Sequence, residues 1–500
     1  MQAYLLALAT GTTFGLAWWI PGTVGCALLG WLAAFLLVAL VRRYPLYRLA
    51  YLVGVTLYIL GFYWLVGTIV DFGGFPFVGG LVVFGLFVGV SALQLVAFLF
   101  VYRNLPGVVD RLALGTATAW TVAEFITFRI FPWAWGHTQL GWGHLAQGAE
   151  IAGVTLISFV VLWVAEATYR LACERERRLS LVVPLGVLAA ICWYGEVRIS
   201  AFSHLPGGAQ PVALVQANLA IREKGNIKFF DSNLQRYVDL TSSVATPGRL
   251  VVWPETVFNQ FIPADIGSVR NDPRIPFWDG GVSLLFGALT FTSETEYHNS
   301  AVAVIPDGTI PRPYHKRILM PFGEYTPLGD VFPFIKALNA TAGDFTPGRE
   351  VTVFSFPRAD GTGTYGVAPL ICYEDIVPSL AREAVRRGAR VLVNMTNDAW
   401  FGDTPAPRQH HLIAAWRAIE NRRYLLRSTN SGLTAVVDPL GRTIGELPTF
   451  ADGVLESTIV PLDIVTPYTA WVGERPWWVL TLVTLIGVGM NRQRRPKGAF

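Results

Sequence analysis

Val367-Ala-Pro-Leu-Ile-Cys-Tyr-Glu-Asp375 is an apolar, strand-like run that stops on a cysteine and two carboxylates. Clefts in layered α/β proteins form where strands end, so a thiol at this point is placed for chemistry. Two earlier stretches share the arrangement. Val251-Val-Trp-Pro-Glu-Thr256 delivers Glu255 past an apolar run, and Tyr314-His-Lys-Arg317 delivers Lys316. Carboxylate, ammonium and thiol follow in that order, roughly sixty residues apart each time.

These side chains divide the work of acyl transfer between them. An ordinary thiol titrates near ~8.5 and is mostly protonated at neutral pH, so attack needs a base or a nearby positive charge. Glu255 is the candidate base, taking the Cys372 proton and later returning it. Lys316 offers fixed positive charge to a tetrahedral oxyanion, with the backbone N–H of Tyr373 as a second donor. Glu324, in Met320-Pro-Phe-Gly-Glu-Tyr-Thr-Pro327, is placed to orient Lys316 or to assist proton traffic. His315, His410 and His411 lack zinc spacing, so no metal and no cofactor is expected.

Around these residues, strand-like runs alternate with helical ones. Runs at 211–216, 250–253, 282–292, 300–305, 351–356, 364–371, 391–394, 433–437 and 454–460 are rich in β-branched and aromatic residues. Helical stretches are expected near 229–245, 377–388 and 407–424, and Pro306-Asp-Gly-Thr309 and Asp438-Pro-Leu-Gly-Arg442 read as turns. The pattern predicts a layered α/β sandwich over 208–465, not a simple doubly wound sheet. Phe258–Ile266 and Phe332–Leu338 are apolar excursions beside the catalytic stretches, forming either a lid or acyl-chain wall, or core. Asn397–Phe401 follows a strand end, which makes Trp400 and Phe401 candidate cleft lining, with a packed loop as the alternative.

The rest of the chain has a different solvent. Apolar residues make up 52% of the 500 and charged residues only 15%, with a mean hydropathy of +0.43. The excess lies in 1–200 and 475–491, which predicts a polytopic membrane domain of seven transmembrane helices and one further helix after the soluble part. The expected spans are 3–20, 23–41, 49–70, 78–101, 112–130, 149–169, 181–198 and 475–491. With the N-terminus in the cytoplasm, the inside loops hold Arg42, Arg43 and Arg48, then Arg103 and Arg111, then Arg170, Arg175, Arg177 and Arg178. The tail adds Arg492, Arg494, Arg495 and Lys497, while the outside loops hold almost no cations. The positive-inside rule therefore predicts both termini in the cytoplasm and 208–465 outside it. Cys26 and Cys192 fall in spans and Cys173 in an inside loop, so Cys372 has no disulfide partner in its own compartment. The net charge of +4 comes mainly from those arginines. No basic run with interleaved aromatics occurs in the soluble part, so nucleic acid is not an expected partner.

The local motifs go further. Trp253-Pro-Glu-Thr256, 315–325 (His-Lys-Arg-Ile-Leu-Met-Pro-Phe-Gly-Glu-Tyr), Ile371-Cys-Tyr-Glu-Asp375, 397–402, 417–422 and Phe131-Pro-Trp133 together resemble the apolipoprotein N-acyltransferases, the membrane branch of the nitrilase superfamily. The resemblance covers essentially the whole chain. It implies a nitrilase-like four-layer αββα sandwich, with Glu255 as base, Lys316 at the oxyanion and Cys372 as nucleophile. Tyr373 and Glu374 match the family's motif around the cysteine, and Glu324 its supporting carboxylate. In one place the chain departs from the pattern: Gly225 stands near a position where the family often has tryptophan.

Thiol chemistry outside the cytoplasm and close to a bilayer predicts attack on a phospholipid ester, a thioester intermediate and ping-pong discharge onto an amine. The resemblance implies that this amine is the N-terminus of a diacylglyceryl-cysteine apolipoprotein, and that the enzyme sits in the bacterial inner membrane. Trp133, Trp135, Trp142, Trp471, Trp477 and Trp478 are read either as a lipid-facing surface for these substrates or as an ordinary interfacial belt. Two other readings stay open. A membrane-anchored amidase or nitrile hydrolase would use the same trio with water as acceptor. A transporter or sensor would draw on Glu124 and Glu166, the main ionisable residues within spans.

Overall fold

The computed structural model describes residues 1–71, 73–174, 179–202, 208–321, 323–326 and 343–494. Phe332–Leu338, the Pro206-Gly207 junction, Arg175, Arg177, Arg178, Arg495 and Lys497 lie outside the described residues. The chain forms two compact units, one over Met1–Ile69, Pro76–Ser203 and Thr466–Phe500, the other over Val70–Phe75 and His204–Val465.

The first unit is helical. Four helices, Val24–Arg43, Phe77–Asn104, Val154–Glu174 and Ser180–Ala201, are each long and apolar enough to cross a membrane, and the bent pair Tyr47–Phe62 and Leu65–Asp71 makes a fifth if taken as one span. The remaining expected spans appear as the helices Gln2–Ala17, Gly115–Ile126 and Arg475–Arg494. Gly115–Ile126 is the short one, about 18 Å at ~1.5 Å per residue. Arg129 caps its end, the guanidinium donating 2.8 Å to the carbonyl of Glu124 in the last turn. Small residues let the helices approach closely: Gly11 and Gly15 face Thr56 and Leu60, and Gly54 faces Ala92.

The tryptophans expected at the interface divide. Trp142, Trp471 and Trp478 are exposed, whereas Trp133, Trp135 and Trp477 are buried. Trp135 packs on Phe14 and Trp120, and its indole donates to the Gly30 carbonyl. For those three, neither a lipid-facing surface nor a belt describes the outcome; they are core. The carboxylates within the helices are partnered too. Glu124 accepts from the Trp120 indole at 2.6 Å, and Glu166 pairs with Arg170 at 2.6 Å.

The second unit is a four-layer αββα sandwich. One sheet is seven-stranded, with β1 (Gln210–Gln216), β2 (Leu250–Val252), β3 (Phe258–Pro263), β4 (Ser283–Ser293), β5 (Glu296–Val304), β6 (Tyr314–His315) and β13 (Gly453–Ile459). Its order is β13-β1-β2-β4-β5-β6, with β3 pairing β4. The other is six-stranded, running β12 (Thr443–Glu446), β11 (Ala435–Val437), β10 (Tyr424–Thr429), β9 (Val391–Thr396), β8 (Thr364–Ile371), β7 (Phe354–Pro357).

Side-chain alternation builds the layers, because both faces of each central strand are buried. On β1 and β2, Val212, Leu214, Leu250 and Val252 point between the sheets, where they meet Val367, Val391, Val393 and Leu426. Their neighbours Ala213, Val215 and Val251 point outward, into a second core with Phe230 and Tyr237 of the helix Phe230–Ser242. The helices Pro378–Arg386 and Ala406–Asn421 belong to the six-stranded half. Phe258, Ile262 and Ile266 join the outward core, so the apolar part of that excursion is mainly packing, with Phe261 its one exposed large hydrophobic residue. A polar seam also links the sheets: Ser428 of β10 donates to the carbonyls of Val215 and Val252, and Thr429 and Thr434 donate to Gln216.

Candidate active site

Strand β2 ends three residues before Glu255, β6 ends directly before Lys316, and β8 directly before Cys372. Two of these exits need a left-handed backbone: φ is +53° at Thr256 and +52° at Cys372. For a non-glycine residue that costs ~1–3 kcal/mol and persists only where the surroundings over-determine it. At Thr256 the surroundings include Gly287, whose N–H donates to the Pro254 carbonyl at 3.1 Å. A Cβ on Gly287 would lie 2.4 Å from the Thr256 nitrogen.

Lys316 is 1% exposed and sits between two carboxylates. Its Nζ is 3.2 Å from Glu255 Oε1 and 2.8 Å from Glu324 Oε2. Asn299 of β5 closes the ring, donating from Nδ2 to Glu255 Oε1 at 2.7 Å and to Glu324 Oε1 at 2.8 Å. Glu324 is further held by the Met320 N–H at 2.8 Å. Burial works against the Lys316 charge, but the Glu255 and Glu324 carboxylates outweigh it and hold the ammonium well above its usual range.

Cys372 faces this ring. Burial and the Glu255 carboxylate push its thiol above the ordinary range, while Lys316 and a hydrogen bond with Thr396 partly offset them. The resting sulfur is therefore a thiol, which gives a base beside it a proton to take.

The turn that carries the cysteine, Cys372–Ile376, is tied down twice. Glu374 is fully buried. It accepts from the Tyr314 hydroxyl and from the N–H groups of Arg317, Ile318 and Ile371. This one carboxylate thus joins the Lys316 segment to the cysteine turn. Burial raises its pKa, and those N–H groups and Lys316 pull it back. The second tie is a buried ionic cluster. His410 Nε2 lies 2.7 Å from Asp375 and Nδ1 3.0 Å from Asp398, while Arg427 bridges the same two carboxylates. Burial disfavours the imidazolium, but the two aspartates win and raise it to about 9.

Glu255, Lys316, Glu324 and Cys372 are thus brought together, with Tyr373 and Glu374 on the turn that carries the thiol. Trp400 and Phe401 lie in the separate turn Asp398–Phe401. There Trp400 is 39% exposed, and Phe401 meets His410 edge-on. His411 and His315 serve as packed polar groups, bonding Thr443 and Ser300.

Several neighbours were not anticipated from the sequence. Asn299 lies one residue before the run expected at 300–305, and an amide entering an apolar strand was the available signal. Thr396 extends β9 beyond the expected 391–394. Lys224 lies on the short helix Ile221–Lys224, beside the departure at Gly225, and nothing in its local sequence marks it. Its Nζ donates to the Glu255 carbonyl at 2.6 Å.

Comparison with known proteins agrees with this architecture. The carbon-nitrogen hydrolase family profile matches residues 211–465. A second profile, the apolipoprotein N-acyltransferase N-terminal domain, matches residues 10–167. An apolipoprotein N-acyltransferase of Geobacter metallireducens is 32% identical over 91% of this chain and 89% of its own. Another, from Methylococcus capsulatus, is 31% identical over 99% of this chain and 97% of its own. A third, from Pseudomonas putida, is 34% identical over 77% of this chain and 75% of its own.

Proposed function

The chain belongs to the apolipoprotein N-acyltransferase family, and from that premise we propose a ping-pong acyl transfer through Cys372, from a phospholipid to the N-terminal amine of a diacylglyceryl-cysteine apolipoprotein. The protein is a bacterial membrane enzyme of the carbon-nitrogen hydrolase superfamily, and its reaction class is lipoprotein N-acylation with a lipid donor. The observation that carries the mechanism is the ring of Glu255, Lys316, Glu324 and Asn299 facing a protonated thiol.

In the first half-reaction Glu255 takes the Cys372 proton as Sγ attacks the ester carbonyl carbon. The oxyanion is met by the Lys316 ammonium and the Tyr373 N–H. Collapse breaks the carbon–oxygen bond, the Glu255 proton goes to the departing oxygen, and a lysophospholipid leaves behind a thioester. In the second half the acceptor amine attacks that carbonyl and Glu255 removes its proton. The carbon–sulfur bond then breaks, the amide departs, and the proton returns to Cys372. Glu324 and Asn299 keep Lys316 and Glu255 in register throughout.

The topology we propose with it has eight spans, both termini in the cytoplasm of an inner membrane, and 208–465 outside. The supporting observation is the arginine distribution, with Arg42, Arg103 and Arg170 on one set of loops.

Intact-mass spectrometry of the detergent-purified chain after incubation with phospholipid tests the chemistry. A fatty-acyl adduct absent from Cys372→Ala, discharged by a diacylated lipopeptide and stable to water, is the expected result. Rapid clearance by water identifies a lipid hydrolase instead, and no adduct with any phospholipid refutes the acyltransfer.

A further inference from the structure

Two carboxylates face Cys372, and Lys316 neutralises only one of them. Left there, the site would carry net negative charge next to a sulfur that must become an anion in transit and a carbonyl oxygen that must become an oxyanion. Both would be opposed. The compensating charge comes from a different element. Lys224 is 6% exposed, and the carboxylate of Glu255 and the thiol of Cys372 are the groups that act on its charge.

We propose that Lys224 is a positioning residue of the acyl transfer, pinning the Glu255–Thr256 peptide by its carbonyl and supplying the second positive charge that balances Glu255 and Glu324 around Cys372. The proposal rests on the acyltransfer reading above.

The pin falls where the backbone needs one. Lys224 Nζ donates 2.6 Å to the Glu255 carbonyl, on the peptide that enters the left-handed Thr256. Strain of this kind relaxes unless contacts hold it, and relaxation would swing the Glu255 carboxylate away from the thiol. Lys224 is itself held, because Asn259 of β3 donates from Nδ2 to its carbonyl at 2.7 Å. The result is a relay from β3 through Lys224 to the base. Burial lowers the Lys224 ammonium to about 8, against the pull of Glu255 and Cys372. A lysine driven into so unfavourable a site, with no direct carboxylate bond among the described residues, is kept there at a cost, and the site chemistry supplies a reason.

The test is the single-turnover rate of Cys372 acylation in the full-length enzyme, with phosphatidylethanolamine in mixed micelles, for wild type, Lys224→Met, Lys224→Arg and Asn259→Ala. We expect K224M to acylate at least ~30-fold more slowly, as for loss of a preorganised charge, with half-saturating phospholipid changed less than ~2-fold. Arginine keeps charge and donors and restores at least ~5-fold of that loss, a rescue that a purely structural role would not give. N259A loosens the pin while leaving every charge, and a slowdown of ~3-fold or more is expected. It also covers the case in which K224M fails to fold. A K224M rate within ~3-fold of wild type overturns the proposal, as does an effect confined to half-saturation, or a folded K224R as slow as K224M. So does an N259A enzyme at wild-type rate when K224M does not fold. A wild-type chain that forms no Cys372 adduct fails the acyltransfer reading itself, whereas adducts formed equally by wild type and K224M fail only the role of Lys224.

Discussion

Replacing His410 by glutamine should remove a pH-dependent part of this protein's stability. Asp375, Asp398, Arg427 and protonated His410 sum to zero charge in a cluster whose aspartates and arginine are buried and whose imidazole is nearly so. Deprotonating the imidazole leaves one uncompensated negative charge there. The folded state raises the imidazolium from its ordinary 6.5 to about 9, worth ~3 kcal/mol at ~1.36 kcal/mol per tenfold change in proton affinity. Because the folded value is the higher one, the folded state binds more protons between the two. The contribution is complete below pH ~6.5, declines through the interval and is gone above pH ~9. For a domain of this size, 3 kcal/mol corresponds to roughly 6–12 °C in melting temperature. His315 and His411 do not intrude, since burial lowers them to about 4 and about 3 and they stay neutral across this window. Thermal melts of full-length wild type and His410→Gln at intervals from pH 6 to 9.5 are the assay. The wild type should melt higher at pH 6 by roughly that amount, and the gap should close by pH 9.5. A gap that stays constant over the range refutes the assignment of a buried imidazolium.

Three more outcomes follow from the same geometry. Lys316→Met should slow Cys372 acylation by ~10²–10³-fold with little change in phospholipid half-saturation, read by quenched-flow mass spectrometry. Gly287→Ala sets a methyl 2.4 Å from the Thr256 nitrogen and 2.5 Å from the Pro254 carbonyl oxygen; it should cost ~1–3 kcal/mol of stability and at least tenfold in rate, and unaltered turnover would show that the Glu255 turn has slack. Glu374→Gln turns an amide NH₂ toward backbone N–H groups that now donate to a carboxylate; a loss of about 3 kcal/mol is expected, with faster hydrogen exchange at the Arg317 and Ile318 amides as the local signature.

The sequence carried some of this fold plainly and hid the rest for definable reasons. Strand β8 runs over the expected 364–371 because a β-branched and aromatic run buried on both faces has no competing reading. Strand β10 went unseen. Tyr424-Leu-Leu-Arg-Ser-Thr429 continues the composition of the helix before it, and the break is made by Arg422 at φ +50° in place of the usual glycine. Its Arg427 and Ser428 look like surface residues, yet both are buried, one bridging Asp375 and Asp398 and the other tying the sheets. Within the candidate site, the strand-end residues were legible because their neighbours are apolar runs. Lys224 and Asn299 were not, since each acquires its surroundings only through distant pairing. Likewise, hydropathy cannot anticipate that the segment 112–130 stops being helical at Ile126, because apolar composition reports burial and not where the backbone turns extended, as it does at Thr127.

The seam of Ser428, Thr429, Thr434 and Gln216 has a consequence for how this protein tolerates change. Glu255 and Lys316 ride on one sheet and Cys372 on the other, so the distance from base to sulfur is a distance between two slabs. Slippage of a single ångström would leave both slabs folded and the chemistry out of reach. Substitutions in the mid-plane, such as at Val252, Val393 or Leu426, should therefore be filtered by turnover well before they are filtered by unfolding. The exposed face of the helix Phe230–Ser242, with Gln235, Arg236 and Asp239, has no such alignment to protect and should drift until stability alone stops it.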